Sequence, residues 1–461
     1  MLYFYIMPII FVTGYALIAF EHFNKIDKAA TALVTGGLLW LLLVIGSTDI
    51  VSFMQSHEMQ EFAGCAKEGH NDVLTVITHG AFTEHLGDIA SIIFFLLGAM
   101  TIVEVVDRYQ GFRIITNRIT TTNRIKLLWI ISALAFFISA VLDNLTTTIV
   151  MVTLLQKMLS KKDNRWLFSG MVVIAANSGG AFSPMGDVTT IMLWIGGQIT
   201  AAGVIQSLLI PSLLSTLVPL VILSFIMPGI TSKPLLGEDE TEEFVPLKYR
   251  VTILSLGLAA LVSVPVLKAT THLPPSLGML FGLGVLWMYT DLVLKKRTHL
   301  DHRKLSVVRI LEHVDVATVM FFLGILLSVA ALQVAGHLDI LSAWLSNSVG
   351  NIYGINIIIG FLSSIVDNVP LVAASMGMYD IAPAGATGFA ANFIVDGHFW
   401  TFLAYCAGTG GSILIIGSAA GVAAMGLEGI PFFWYMKKIG WLALLGYLVG
   451  AAWYIMAATM F

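Results

Sequence analysis

The chain has 461 residues, of which 57% are hydrophobic and 11% charged, with a formal charge of -4 and a mean hydropathy of +0.88; soluble domains carry about a quarter charged residues. A water-soluble fold cannot hide that much apolar surface. The small net charge, and the lack of a basic tract mixed with aromatics, argue against nucleic acid as a partner.

Apolar residues begin at the N-terminus with no basic n-region and no small-residue cleavage site, so a retained first helix is expected rather than a removable signal peptide. A spanning helix needs about 20 apolar residues. Ten stretches meet that need: 3–20, 29–46, 89–106, 166–198, 203–227, 250–267, 276–294, 314–333, 388–425 and 432–460. Two further apolar regions, 127–158 and 351–378, are interrupted by Asp143-Asn144 and by Asp367-Asn368-Val369-Pro370, and each is expected to be a re-entrant hairpin. With those hairpins re-entrant, nearly all Lys and Arg fall on alternate loops, as the positive-inside rule requires. Of the 24 basic residues only Lys67 and Lys268 lie opposite. Both termini are then expected outside a cell (inner) membrane crossed many times, with the acidic run Glu238 to Glu243 inside. Of the two cysteines, Cys65 and Cys406, neither belongs to a CxxC or Cys/His cluster, so no disulfide or zinc site is implied.

Motifs recur along the chain. Glu84-His85-Leu86-Gly87-Asp88 returns as Glu312-His313-Val314-Asp315, Asp143-Asn144-Leu145 as Asp367-Asn368-Val369, and Ser178-Gly179-Gly180-Ala181 as Thr409-Gly410-Gly411-Ser412. Each half then holds five crossings and one hairpin, and an odd number of crossings turns the second copy upside down. The predicted fold is an all-α polytopic membrane protein of two inverted repeats. Repeat 1 spans 1–228 with hairpin 127–158 and broken helix 166–198. A cytoplasmic linker follows at 229–249, and repeat 2 spans 250–461 with hairpin 351–378 and broken helix 388–425.

The polar groups deep in the apolar regions are Asp143, Asn144, Thr146, Thr147, Asn177, Ser178, Ser183, Asp187, Thr189, Asp367, Asn368, Thr409, Ser412 and Ser418. An aspartate at bilayer centre costs about 2.5 to 3.5 kcal/mol on insertion scales, so these three aspartates need a reason to be there. Helix N-capping is one. Cation binding is the other: Gly179, Gly180, Pro184 and Gly186, matched by Gly408, Gly410, Gly411 and Gly417, break two helices and free carbonyl oxygens beside carboxylate, amide and hydroxyl oxygens, the ligand types of a hard cation. Asp88 and Asp315 are expected to cap helices, Glu104 and Asp291 to be interfacial, and Trp434, Tyr435, Trp441 and Tyr447 to anchor at the membrane interface. The loop 47–87 contains His57, His70, His79 and His85 in no diagnostic spacing.

At Asp143-Asn144-Leu145-Thr146-Thr147, at the run Asn177 to Thr190 and at Asp367-Asn368-Val369-Pro370, the chain resembles the NhaD-type sodium/proton antiporters of the ion transporter superfamily. Other branches of that superfamily carry di- and tricarboxylates, and their hairpin tips look like Ser-Asn-Thr. Here aspartate stands at the serine-like place in both halves, which favours a cation over an anion. The resemblance implies a transporter and not an enzyme, with Na+ at Asp143, Asn144, Asp367 and Asn368, no cofactor beyond the transported Na+ or Li+ and H+, and a homodimer in the lipid bilayer. The expected mechanism is competition of Na+ or Li+ with protons at Asp143, Asp367 and Asp187, under alternating access. Competition near neutral pH requires a carboxylate pKa lifted from about 3.9 to about 7, equivalent to about 4 kcal/mol, which burial can supply. The alternative on the same scaffold is a sodium-coupled symporter of a small di- or tricarboxylate. A passive channel fits paired broken helices less well. An intramembrane aspartyl protease fails, because Met378-Tyr379-Asp380 follows Met185-Gly186-Asp187 in reversed order and Pro184 stands where that motif needs its first glycine.

Overall fold

A computed structural model describes residues 2–19, 25–47, 73–116, 119, 121, 123–159, 161–226, 245–296 and 305–460, and every element among them is a helix. Seven of these helices are long and apolar enough to cross a bilayer, and one bent pair makes an eighth candidate. The protein is thus an all-helical, multi-pass membrane protein. Of the ten expected stretches, the other three are the N-terminal helix, which is shorter in its apolar part, and 166–198 and 388–425, each divided into two arms.

The chain forms two compact units, and each takes segments from both halves of the sequence. The first comprises Met1–Ile93, Asp315–Ile355 and Val369–Val395. In it, α1 (Leu2–Ala19) and α2 (Lys28–Ile45) lie side by side, and α2 packs along α11 (Val316–Val334). Asp27 starts α2 by accepting from the Ala29 amide at 2.7 Å, and Asp315 starts α11 by accepting from the Thr318 amide at 3.0 Å, each meeting one of the backbone donors a helix start leaves unpaired. The Trp40 indole donates to the Leu327 carbonyl at 2.9 Å and fixes α2 against α11. The expected cap at Asp88 is not found. The helix α3 (Phe82–Arg108) is already under way from Val73, so Asp88 sits inside it. His79 lies in the π-helical turn Val76–Ala81 and His85 in the first turn of α3. His57, His70, Cys65 and the acidic run 238–243 lie outside the described residues. No group of three metal-ligating side chains occurs among the described ones.

The second unit comprises Phe94–Val314, Asn356–Asn368 and Asp396–Phe461. At its centre is α6 (Lys162–Ala181), every residue of which is buried from Phe168 onward. Against it pack α4 (Arg124–Ser139), α5 (Asn144–Met158), α8 (Ala201–Ile226), α15 (His398–Gly410) and α16 (Ala419–Glu428), while α17 (Trp441–Met460) runs along α8. The short α7 (Val188–Ile195) follows α6, and α9 (Leu247–Thr271) pairs with α10 (Pro275–Lys296). Among the described residues the remaining helices of more than ten residues are α12 (His337–Val349), α13 (Ile352–Ser363) and α14 (Asn368–Met378). Each interruption expected from the sequence is a break between helices, at 140–143, 182–187, 364–367 and 411–418.

Buried tyrosines replace some of the expected interface anchors. Tyr435 and Tyr447 are fully buried, donating to the Ser412 carbonyl at 2.9 Å and the Ile357 carbonyl at 3.3 Å. A phenol hydroxyl away from water needs an acceptor; the Ser412 carbonyl in the break 411–418 supplies one and the Ile357 carbonyl within a neighbouring helix the other. Trp441 keeps an outward-facing ring, 46% uncovered.

Candidate functional site

All fourteen deep polar residues singled out from sequence fall in the second unit. The two glycine-rich breaks place them with a repeated set of contacts. Ser139 donates to the Ala176 carbonyl at 2.6 Å, and its repeat partner Ser363 donates to the Ala407 carbonyl at 2.8 Å. A Cβ on Gly179 would strike the Phe136 carbonyl, and one on Gly410 would strike the Gly360 carbonyl. Glycine is required at both points because the helix backbones touch there.

The breaks expose helix N-termini, and the predicted polar residues cap them. Asp143 caps α5, with one carboxylate oxygen accepting from the Thr146 amide and the other from the Thr146 hydroxyl, both at 2.7 Å. Asp187 caps α7 by accepting from the Thr189 amide at 3.3 Å, and Ser418 caps α16 by accepting from the Gly421 amide at 3.2 Å. Capping is therefore a real part of what these residues do, at helix ends inside the bundle rather than at its rim.

Two side-chain constellations form around the caps. In one, Asn144 donates to Asn177 Oδ1 at 3.0 Å, and Asn177 Nδ2 donates to the hydroxyls of Ser412 and Ser418, each at 2.9 Å. In the other, Asn368 Nδ2 donates to Asp187 Oδ2 at 3.1 Å. Asp187 is only 2% exposed and Asn368 4%. Among the described residues no Lys or Arg pairs with Asp187 or Asp143.

The remaining candidates are placed less centrally. Ser178 shares a hydrogen bond with Ser215 on α8 at 3.1 Å, Ser183 donates to the Ala140 carbonyl, and Thr409 donates to the Tyr405 carbonyl of its own helix at 2.5 Å. Thr147 is fully buried one turn into α5. Sequence reasoning passed over two participants. Tyr435 holds the Ser412 carbonyl at the second break. Glu428, whose side chain is wholly buried, ends α16 in an ion pair with Arg165 of α6 at 2.9 Å. An acid in the last turn of an apolar helix was the available signal for Glu428.

A buried carboxylate in one of two matched helix breaks, within a multi-pass bundle, is an arrangement that fits a membrane transporter. Residues 15–395 match the citrate transporter family. The chain is 42% identical over 456 residues to sodium/proton antiporter 1 of Arabidopsis thaliana, covering 97% of this chain and 72% of that one. It is 40% identical to sodium/proton antiporter 2 of the same plant, covering 97% and 98%. Against the Na(+)/H(+) antiporter NhaD of Alkalimonas amylolytica it is 30% identical over 96% of this chain and 88% of that one. The chain belongs to the NhaD-type sodium/proton antiporters within the citrate transporter family.

Proposed function

We propose that the protein is a secondary active transporter that exchanges Na+ or Li+ for H+ across the cell (inner) membrane. The observation that carries this is the Asp187 carboxylate, buried, held by the Asn368 amide, and paired with no Lys or Arg among the described residues. A buried negative charge is costly unless a positive charge accompanies it. A proton or a small cation supplies that charge, and both cannot use one carboxylate at once, which couples their movements. The names of the relatives support the same exchange.

In the proposed cycle the site faces one side at a time, with the two inverted repeats exchanging conformations. Hairpins 127–158 and 351–378 re-enter from opposite sides, both termini lie outside, and the basic loops lie inside. A homodimer is part of the proposal through the family resemblance. A sodium-coupled carboxylate symporter is disfavoured because the buried Asp187 carboxylate, with no Lys or Arg beside it among the described residues, repels an anion. The test is dissipation of an imposed pH gradient in proteoliposomes on adding Na+, Li+ or K+ separately. Dissipation by Na+ or Li+ without organic acid is expected, and a strict need for a carboxylate would overturn the proposal.

A further inference from the structure

The arm α7 (Val188–Ile195) has eight residues. A helix that short is marginal by itself, because nucleating it costs more than two turns return. Its place therefore depends on what holds its two ends. At the N-terminal end Asp187 accepts from the Thr189 amide. At the other end the ammonium of Lys268, in the last turn of α9, donates to the Trp194 carbonyl and lies 4.7 Å from the centre of the Trp194 ring. Trp194 is buried and meets Phe95 edge-on, with ring centres 6.2 Å apart. A helix C-terminus carries about half a negative charge, which draws a cation there. The chain beyond α7 is gripped separately, where Asp396 accepts from the Thr200 amide and hydroxyl, each at 2.6 Å. That grip lies past the left-handed turn at Gly197, so it holds the loop rather than the helix.

Two observations set Lys268 apart from an ordinary lysine at a helix end. It is one of the two basic residues that the charge segregation leaves on the opposite side, and the other, Lys67, lies outside the described residues. A lysine near the end of a spanning helix ordinarily extends to the membrane surface, whereas this one is turned onto Trp194. The second observation comes from the repeat. The register that sets Ser178-Gly179-Gly180-Ala181 on Thr409-Gly410-Gly411-Ser412 also sets Asp187 on Ser418, and so α7 on α16. The far end of α16 is held too, with the Gln156 amide donating to the Leu427 carbonyl at 3.0 Å and the Trp166 indole to the Glu428 carbonyl at 3.1 Å. Those donors are neutral, as is the cap Ser418, and the charge of Glu428 is matched by Arg165. Only the arm capped by an acid has its far end held by a cation, and among the described residues Lys268 forms no ion pair with Asp or Glu.

We propose that Lys268 is a positioning residue for exchange: it clamps the far end of α7 and thereby keeps Asp187 set against Asn368 at the break. This rests on the antiport function proposed above and adds a residue at the opposite end of the arm from the break.

The test compares Lys268→Met, which keeps the apolar stem and removes the charged donor, with Lys268→Arg, which keeps both, in proteoliposomes matched for the amount of inserted protein. Losing a hydrogen bond from a charged group is worth about tenfold or more in an equilibrium. The apparent KM for Na+ is therefore expected to rise about tenfold in the methionine variant, with kcat changing less, and to stay within about twofold of the unaltered value in the arginine variant. A residue that only helped the chain fold would lower the amount inserted and leave KM where it was. That result would overturn the positioning role, as would an equal rise in both variants. If the methionine variant does not insert, Lys268→Gln, too short to reach Trp194 in the same way, takes its place with the same expectation. Amide hydrogen exchange over 188–195 needs no transport, and it should be about tenfold faster in the neutral variant; an unchanged rate would overturn the clamp. Failure of the unaltered protein to exchange Na+ or Li+ for protons would instead overturn the antiport function on which this role rests.

Discussion

Asn177 is the residue whose loss the structure prices most directly. Its side chain is fully buried and takes part in three side-chain hydrogen bonds, joining Asn144 at the start of α5 to Ser412 and Ser418 in the break between α15 and α16. Hydrogen bonds between membrane helices average about 0.6 kcal/mol and reach about 1.7. Three of them give roughly 2 to 5 kcal/mol for Asn177→Ala, with Asn144 and Ser412 left without their partner in a buried place while Ser418 keeps the Gly421 amide. Ser412→Ala removes one of the three and should cost about 0.6 to 1.7 kcal/mol on the same scale. The assay is thermal unfolding of purified protein in one detergent, followed by tryptophan fluorescence and by loss of the monodisperse chromatographic peak. The expected order is unaltered protein, then Ser412→Ala, then Asn177→Ala, with the second step larger than the first. An Asn177→Ala variant no less stable than Ser412→Ala would show that the amide does not hold the two breaks together.

Other perturbations test other parts of the structure. If Na+ and H+ share the carboxylates, protonation removes the charge that binds Na+, so Na+ affinity should fall as pH drops, tending toward about tenfold per pH unit for each proton displaced, and level off in alkali; titration calorimetry in sodium-free buffer giving one affinity at every pH would refute sharing, and Asp187→Asn should flatten the dependence. Glu428→Gln breaks a buried ion pair whose arginine is 23% exposed, so the loss should fall at or below the low end of about 3 to 5 kcal/mol, and the double replacement Arg165→Met with Glu428→Leu should recover part of it in the same unfolding assay. In a background with Cys65 and Cys406 changed to serine, a cysteine at Asn123 or Arg303 should label only from the cytoplasm and one at Lys67 only from outside; outside labelling at 123 would sink the re-entrant topology.

The helix breaks were legible because each has a local cause written in residue types. Asp143-Asn144 and Asp367-Asn368-Val369-Pro370 favour a helix start over a helix interior, and Gly180, Pro184 and Gly186 cannot sustain one. The breaks at 140–143, 364–367 and 182–187 fall at or beside those residues, and the break at 411–418 holds Gly411 and Gly417. What escaped was set by partners distant in sequence. Tyr435 and Tyr447 sit near segment ends like interface anchors, and only packing against the second broken helix and the Ile357 carbonyl of α13 makes them buried donors. Asp88 has the local look of a cap, yet the helix begins earlier, from Val73, because apolar residues extend it backward through Val76 and Ile77. The pairing of Asn177 with Ser412 and Ser418 spans more than half the chain and has no trace in spacing.

Capping and cation binding, which look like rival explanations of the aspartates, are the same arrangement seen from two sides. A helix N-terminus presents about half a positive charge, so a carboxylate that caps one is only partly balanced. At Asp143 both oxygens are engaged by Thr146, and that site is the more nearly satisfied. At Asp187 the cap bond is long, at 3.3 Å, and the second oxygen meets a neutral amide, so more of the negative charge is left without a partner. A single added positive charge completes the balance there, whether it arrives as H+ or as a monovalent cation. An anionic substrate would deepen the imbalance instead, since Asp187 is buried with no Lys or Arg paired to it among the described residues. Under the proposed antiport, the same incomplete cap that leaves Asp187 partly unbalanced is what would let one cation replace another there.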